Sequence, residues 1–487
     1  MAGRTNGGSN VFTADFLLPQ RPWGGDEVTP ETGAYSVRYV PQGVDDHLGY
    51  WIPASSGLQK EMPSRIGADR LEVGVSRTPT NHAGLTIHLR PPFAEDEIGR
   101  FDQQALRARV TEGLGAGLKD AVLFMCFGGR RATDSPRRLL EEFQRRGSQW
   151  PMYWAIADFS VPVPAGAEPV LIGSRLWYQL LAEARILINN NNFPFYFRKR
   201  EGQVYIQTWH GTPLKKLGND VARTNFSLSY WNLMWREAEY WDALLAQNDY
   251  AAGVLANCFG FKGRVVAEGY PRNDSLTRER MDQNRAAIRT KLGIPEGKTA
   301  ILYAPTWRDD AKNASRQYEM VTYLDFEKAQ QQLGDDYVLL LRGHHNIAGQ
   351  RQTAANKFVI DVTEYPEVND LYTAADILVN DYSSVMFDFC VTRKPIIFLT
   401  PDIAQYRDAT RGFYFDLEEK APGPLHNTTD EVVRSIQNIS DVSRRYALKY
   451  EAFVKMFAPH CDGEATSRVF DALWPDKEAI GITSSTD

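Results

Sequence analysis

Apolar positions from about Leu118 onward fall in short runs, DAVLFMCF, MYWAIA, RILINN and VYIQTW, with RRLLEEFQRRG and SRLWYQLLAEA at helical spacing between them. Near-continuous apolar runs are those of strands buried on both faces, and their alternation with helical segments predicts a parallel, doubly wound sheet. A second series opens near RVVAEGYP and continues through AILYAP, YVLLLRGHH, KFVIDV, ADILVNDYSS and KPIIFLT. Two such units without a low-complexity linker predict two similar α/β domains facing each other over a cleft, with ligands bound beyond the carboxyl ends of the strands. Before them, from about Gly33 to Pro92, shorter alternating runs such as YSVRYV, LEVGVS and LTIHLR are split by turn residues. These predict a small β-sandwich or β-barrel, read as an accessory or docking module. The polar, glycine-rich start MAGRTNGGSN predicts a disordered lead. The chain therefore divides into a lead (1–32), a β-rich module (33–95), a first Rossmann-like domain (96–265) and a second (266–480).

Composition narrows the class. The 487 residues, 43% hydrophobic and 24% charged, are those of a soluble globular protein with room for more than one core. A net charge of −6 argues against a nucleic-acid partner, and it requires any anionic ligand to meet a local positive cluster. Cys126, Cys258, Cys390 and Cys461 lie far apart without a CxxC pair, which favours reduced thiols in the cytoplasm over disulfides or a zinc site. No apolar run of about 18 residues is present, so a spanning helix is not expected.

The chemistry gathers at strand ends. After VYIQTW comes His210; after AILYAP come Thr306, Trp307, Arg308 and Asp309. After YVLLLR come His344 and His345, with Arg342 closing the run, and after ADILVN come Asp381, Tyr382, Ser383 and Ser384. Four successive mouths of this kind predict a cleft for an anionic, hydroxyl-bearing ligand. Within QTWHGTPLKKLGND, Gly211 and Pro213 shape a tight loop and Lys215 and Lys216 bring charge. His210 reads either as a hydrogen-bonded structural histidine or as a neutral imidazole that takes a proton from a hydroxyl nucleophile. Ser383 and Ser384 cap the helix VMFDFC or hold a phosphate there, and the two readings are compatible. No GxxxxGK[ST] loop, strand-borne GxGxxG or acidic metal box is visible, so charge neutralisation by Lys, Arg and His is the expected strategy and no metal or cofactor is assigned. Trp231, Trp235 and Trp241 stand at roughly helical spacing, a core pattern.

WHGTPLKKLG, GYPRND, APTWRDD and NDYSSVMFDF, in this order and spacing, resemble the CDP-glycerol glycerophosphotransferase family, which includes teichoic acid primases and polymerases and some capsule polymerases. The resemblance runs from about Asp120 to Trp474, from FGGRRATDSPRRLLEEF to CDGEATSRVFDAL. It implies a GT-B-type fold, with an acceptor domain, a donor domain and a last helix packing back on the first. It also implies transfer of glycerol phosphate or ribitol phosphate from a CDP-alditol to a hydroxyl on a polyprenyl-linked or oligomeric acceptor, with release of CMP at the inner face of the membrane. His210 then corresponds to the catalytic base and His344 to a histidine on the donor phosphates. Ser383 and Ser384, with Arg308, Arg342 and Asp381, would hold the diphosphate. Thr212, Lys215, Lys216, Arg272, Asn273, Asp274, Thr306 and Asp388 would supply the remaining substrate contacts. In many relatives a proline follows the second histidine, whereas here His345 does. The alternatives are a GT-B glycosyltransferase using a nucleotide sugar and a non-catalytic polymer-binding protein.

Overall fold

The computed structural model describes residues 4–5, 12–13, 20–39, 50–52, 56–78, 81–112, 117–221, 228–306, 322–343, 358–407 and 412–482. The β-rich module is one antiparallel sheet of β1 (Gly33–Ser36), β2 (Ser64–Ala68), β3 (Leu71–Thr78) and β4 (Asn81–Arg90), in the order β1-β4-β3-β2. Beside it, among the described residues, lies a two-stranded ribbon of Arg38–Tyr39 and Tyr50–Trp51 whose Trp51 packs against Gly84 of β4, so in place of the expected sandwich or barrel there is a four-stranded sheet with a short ribbon against it. Only every third residue or so of β3 is buried, too few to line a core between two sheets.

The lead is not wholly disordered either. Gln20 pairs with Val28, Trp23 packs edge-on against Tyr365, and Thr32 donates to Asp158 through both its backbone N–H and its hydroxyl.

The first α/β domain is a seven-stranded parallel sheet of β5 (Lys119–Met125), β6 (Met152–Ile156), β7 (Glu168–Leu171), β8 (Ala184–Asn189), β9 (Val204–Gln207), β10 (Ala243–Leu245) and β11 (Arg264–Val266). Its order is β7-β6-β5-β8-β9-β10-β11. Arg264–Val266, which the sequence suggested as the opening of the second series, closes this first sheet by pairing with β10. The second domain is six-stranded: β12 (Thr299–Tyr303), β13 (Tyr337–Leu341), β14 (Val359–Asp361), β15 (Ile377–Asn380), β16 (Ile396–Leu399) and β17 (Leu425–His426), in the order β14-β13-β12-β15-β16-β17. Each sheet thus reverses direction once, at β5/β8 and at β12/β15, and such switch points open the crevices in which α/β proteins bind ligands.

Helices cover both faces. In the first domain these are α1 (Arg100–Thr111), α2 (Asp134–Arg145), α3 (Arg175–Glu183), α4 (Leu228–Tyr240) and α5 (Asp249–Phe259). The second contributes α6 (Arg278–Lys291), α7 (Phe326–Leu333), α8 (Val368–Ala374), α9 (Val385–Phe389), α10 (Thr429–Gln437) and α11 (Ile439–Phe457). The last helix, α12 (Ala465–Leu473), crosses back to the first domain. Its Phe470, edge-on, and the following Trp474, tilted, each pack with ring centroids 4.8 Å from Phe143, inside a core shared with Phe124, Trp154 and Ile188. Of the three tryptophans read as core, Trp231 and Trp241 are buried in α4 and after it, whereas Trp235 is 38% exposed.

Candidate active site

Both switch points are built by one device. In the second domain, Asp381 follows β15 and its carboxylate accepts the Thr306 backbone N–H at 3.0 and 2.8 Å and the Thr306 hydroxyl at 2.6 Å. It also accepts the N–H groups of Tyr382 and Ser383, which curls the chain into the turn that opens α9. In the first domain Asn190 occupies the equivalent place after β8. Its side-chain oxygen accepts the Phe127 N–H at 2.8 Å, and its amide donates to Asp134 at 3.1 Å and to the Cys126 sulfur.

Asn190 also sets the chemistry of His210. Its backbone carbonyl lies 2.6 Å from His210 Nδ1. A carbonyl can only accept, so Nδ1 carries the proton and the Nε2 of the neutral ring keeps a free lone pair. The ring stacks on Trp209, with centroids 4.7 Å apart, and meets the edge of Phe127 at 5.8 Å. Burial of the ring holds its pKa below the ordinary histidine range. The bond to Asn190 and the charge of Asp134 oppose this shift, and Arg272 reinforces it. The imidazole is thus neutral near pH 7 although its edge is open to the cleft. Trp209 reaches this placement in a left-handed conformation, φ 53°, fixed by a bond from its N–H to Gln207.

The two mouths meet here. A Cβ built on Gly211 would stand 3.0 Å from Ser384 Oγ, so the histidine loop passes close to Ser384 and a larger residue at 211 would require the serine to shift. Ser383 and Ser384 are half-buried at this gap, and the Ser384 side chain makes no capping bond to α9. Beyond His210 the loop is tied to the second domain. Lys216 N–H donates to Gly412 O, Tyr414 N–H donates to Leu214 O, and the Tyr414 hydroxyl joins Leu217 N–H to Asp220.

Several residues assigned to substrate are spent inside the protein. Arg272 is buried and forks between Asp134 at 3.0 Å and Asp388 at 2.9 Å, one from each domain, while Asn273 donates to the other oxygen of Asp388. Burial pushes the Asp388 carboxyl up, and its bonds to Arg272 and Asn273 pull it down. Asp274 accepts two backbone N–H groups and a hydroxyl at the start of α12. Thr212 donates to Gln247. The Arg342 guanidinium donates to the carbonyls of Val362 and Tyr365. These bonds tie the residues into the protein framework, although among the described residues Arg272 Nε and Asn273 Oδ1 are buried without a partner. Asp381 belongs with them. Its oxygens face N–H and O–H groups of its own loop and of Thr306 after β12, and a carboxylate presents no donor to a phosphate. Lys215 and Lys216 are half-exposed beside the gap, and Thr306 lies buried at its floor. Arg308, His344 and His345 fall outside the described residues.

Sequence reading did not single out Asn190, Asp134 or Phe127. The available signal was the run Asn189–Asn192 directly after a buried strand, at a position as privileged as that of Asp381.

Two parallel-sheet domains joined across a cleft, with a returning last helix, define a GT-B-type protein. The site within it brings the loop of His210 against Ser384, across the boundary between the domains. The chain belongs to the CDP-Glycerol:Poly(glycerophosphate) glycerophosphotransferase family, whose model matches residues 116–475. It is 33% identical over 363 residues to a teichoic acid poly(glycerol phosphate) polymerase of Bacillus subtilis (strain 168), covering 73% of this chain and 49% of that protein. It is also 33% identical over 370 residues to a teichoic acid glycerol-phosphate transferase of Staphylococcus aureus (strain NCTC 8325 / PS 47), covering 73% of this chain and 93% of that one. The chain thus spans about half the length of the Bacillus relative. A solved structure of the wall teichoic acid polymerase TagF aligns with a TM-score of 0.72 at 33% identity, over 79% of this chain and 94% of the other. A histidine variant of TagF soaked with CDPG aligns equally well, with a TM-score of 0.72.

Proposed function

We propose that this chain transfers glycerol phosphate, or ribitol phosphate, from a CDP-alditol to a hydroxyl of a polyol-phosphate acceptor, releasing CMP. The observation that carries this reading is the neutral imidazole of His210, anchored through Nδ1 to Asn190 and followed by Gly211, which lies against Ser384 of the second domain. The acceptor hydroxyl gives its proton to Nε2, and its oxygen attacks the β-phosphorus that bears the alditol. A new P–O bond forms, the P–O–P bridge breaks, and the electron pair leaves with CMP. Ser383 and Ser384 hold the diphosphate, and Lys215, Arg308 and His344 balance its charge. Aligning two substrates between domains contributes several kcal/mol, about 7 in favourable intramolecular cases.

Support comes from the family and from relatives named for glycerol-phosphate transfer. The deciding assay incubates the protein with an oligo(glycerol phosphate) acceptor and CDP-glycerol, CDP-ribitol or a UDP-sugar, and follows nucleotide release and product mass. CMP release coupled to growth by one polyol-phosphate unit is expected. UMP or UDP release with sugar transfer would overturn the reading.

Attachment to the inner face of the membrane belongs to the same proposal. Among the described residues no helix is long and apolar enough to cross a membrane. Phe195 is 66% exposed, its carbonyl accepts from Arg198 and Arg236, and Trp235 is exposed on the neighbouring α4, a pairing of aromatic and cationic groups suited to a headgroup layer. Helix α1 packs against α3, with Gln103 and Arg107 bonded to Tyr178, and so that face is not free for this role. Phe195→Ser is expected to reduce co-sedimentation with anionic vesicles; unchanged sedimentation would overturn attachment through this patch.

A further inference from the structure

The segment FGGRR, Phe127–Arg131, follows β5 and takes no part in the transfer described so far. Its backbone is unusual: Phe127, Gly128 and Gly129 are all left-handed, with φ of 46°, 65° and 82°. A run of this kind containing a phenylalanine is strained, and strain persists where surrounding contacts over-determine it. They do here. Phe127 N–H is held by Asn190, Gly129 N–H donates to Cys126 O, and Gly129 O accepts from Ala157 N–H. A Cβ at Gly129 would come within 2.4 Å of Ile172.

This rigid loop faces the base. Asn190 holds Phe127 through its side chain and His210 through its carbonyl, so one residue sets the distance between loop and imidazole. The Phe127 ring meets His210 edge-on and is 37% exposed. Of the two arginines that follow, Arg131 crosses the cleft to Glu364 at 2.7 Å. Arg130 is exposed and, among the described residues, has no acidic partner or side-chain hydrogen bond. An apolar ring beside the base and a free guanidinium one turn away make a site for a short polyol that ends in a hydroxyl and is preceded by an anion.

We propose that Phe127–Arg131 is the acceptor-end site, in which Phe127 supports the polyol carbons of the terminal unit and Arg130 binds the phosphodiester that precedes its hydroxyl. This rests on the transfer reading above and deepens it. The protein extends a chain end that already carries phosphate in preference to a neutral one, because a site built to bond an anion discriminates against the analogue lacking it. An arginine suits the task, since its planar fork matches two phosphate oxygens at once.

The test uses the full chain with CDP-glycerol and two acceptors on the same alkyl tail, one a short oligo(glycerol phosphate) and the other its neutral oligoglycerol counterpart. In Arg130→Ala the KM for the phosphate-bearing acceptor is expected to rise about tenfold or more, with the neutral acceptor and the KM for CDP-glycerol unchanged. Arg130→Lys is expected to recover part of the loss. Added salt should raise the charged acceptor's KM in the parent protein and much less in Arg130→Ala. An unchanged ratio between the acceptors, or an equal loss for both, overturns the site while leaving transfer intact. A parent protein that releases no CMP with either acceptor overturns the transfer reading and this inference with it.

Discussion

Asn190 and Asp381 sit at the same topological place in two similar sheets and do different work. Asp381 is a carboxylate that only accepts. It gathers N–H and O–H groups of its own domain and shapes the turn carrying the serines. Asn190 is an amide that both donates and accepts, so it links three elements: the Phe127 loop, the start of α2 and the histidine. The proposed donor side is thus a self-contained turn, whereas on the proposed acceptor side one residue ties the histidine to its surroundings.

That contrast can be broken in graded ways. The largest effect is expected from His210→Ala, which should lower transfer by about 10⁴-fold and leave CDP-alditol binding by calorimetry near normal. Near-normal turnover would remove the base from His210. Next comes Arg272→Ala, which cuts the ion bridge between the two sides and strands Asp134 and Asp388 in the interior. About 3–5 kcal/mol of stability should be lost in urea unfolding, and a loss below about 1 kcal/mol would mean that the bridge is not a structural tie.

Glu237 gives a pH signature confined to the acceptor side. Burial raises its carboxyl from the ordinary 4.5 to about 7, against the bond it accepts from Tyr205, itself next to Gln207, which holds Trp209. Below about pH 4.5 both folded and unfolded chains are protonated and the contribution is complete. As pH rises toward 7 only the unfolded chain ionises, so stability falls, by up to about 3 kcal/mol above that pH. Glu237→Gln should flatten this dependence between pH 5 and 8; an equally steep profile would exclude Glu237 as its source.

The smallest and most direct change is Asn190→Asp, which makes the acceptor side imitate the donor side. A nearby anion favours the imidazolium, so the acid limb of kcat/KM, expected below about pH 6.5 in the parent protein, should move up by about one unit. An unmoved limb would show that His210 does not set it.

The sequence conveyed the sheets well, because strands buried on both faces announce themselves as apolar runs and their polar ends mark the mouths. The positions of the serine pair and of His210 beyond strand ends were readable for the same reason. What escaped were features with no one-dimensional signal. Asn190 looks like any loop asparagine until Phe127 and Asp134 are seen beside it. Arg272 and Asp388 look like ligands until their partners turn out to be each other. The edge strand Arg264–Val266 carries too few residues to declare which sheet it joins, and only its pairing with β10 decides the matter. The β-rich module read as a closed body because alternation reports one buried face without saying what covers it.

The pinning of the Leu214–Lys216 backbone to Gly412 and Tyr414 constrains how the enzyme breathes. A wide gape between the lobes would have to tear this short splice or carry the histidine's segment away from Asn190. The transfer proposed above is therefore compatible only with small excursions or with slippage at the splice. Cross-linking the splice would then leave catalysis running, whereas an enzyme that needs to yawn open would stall.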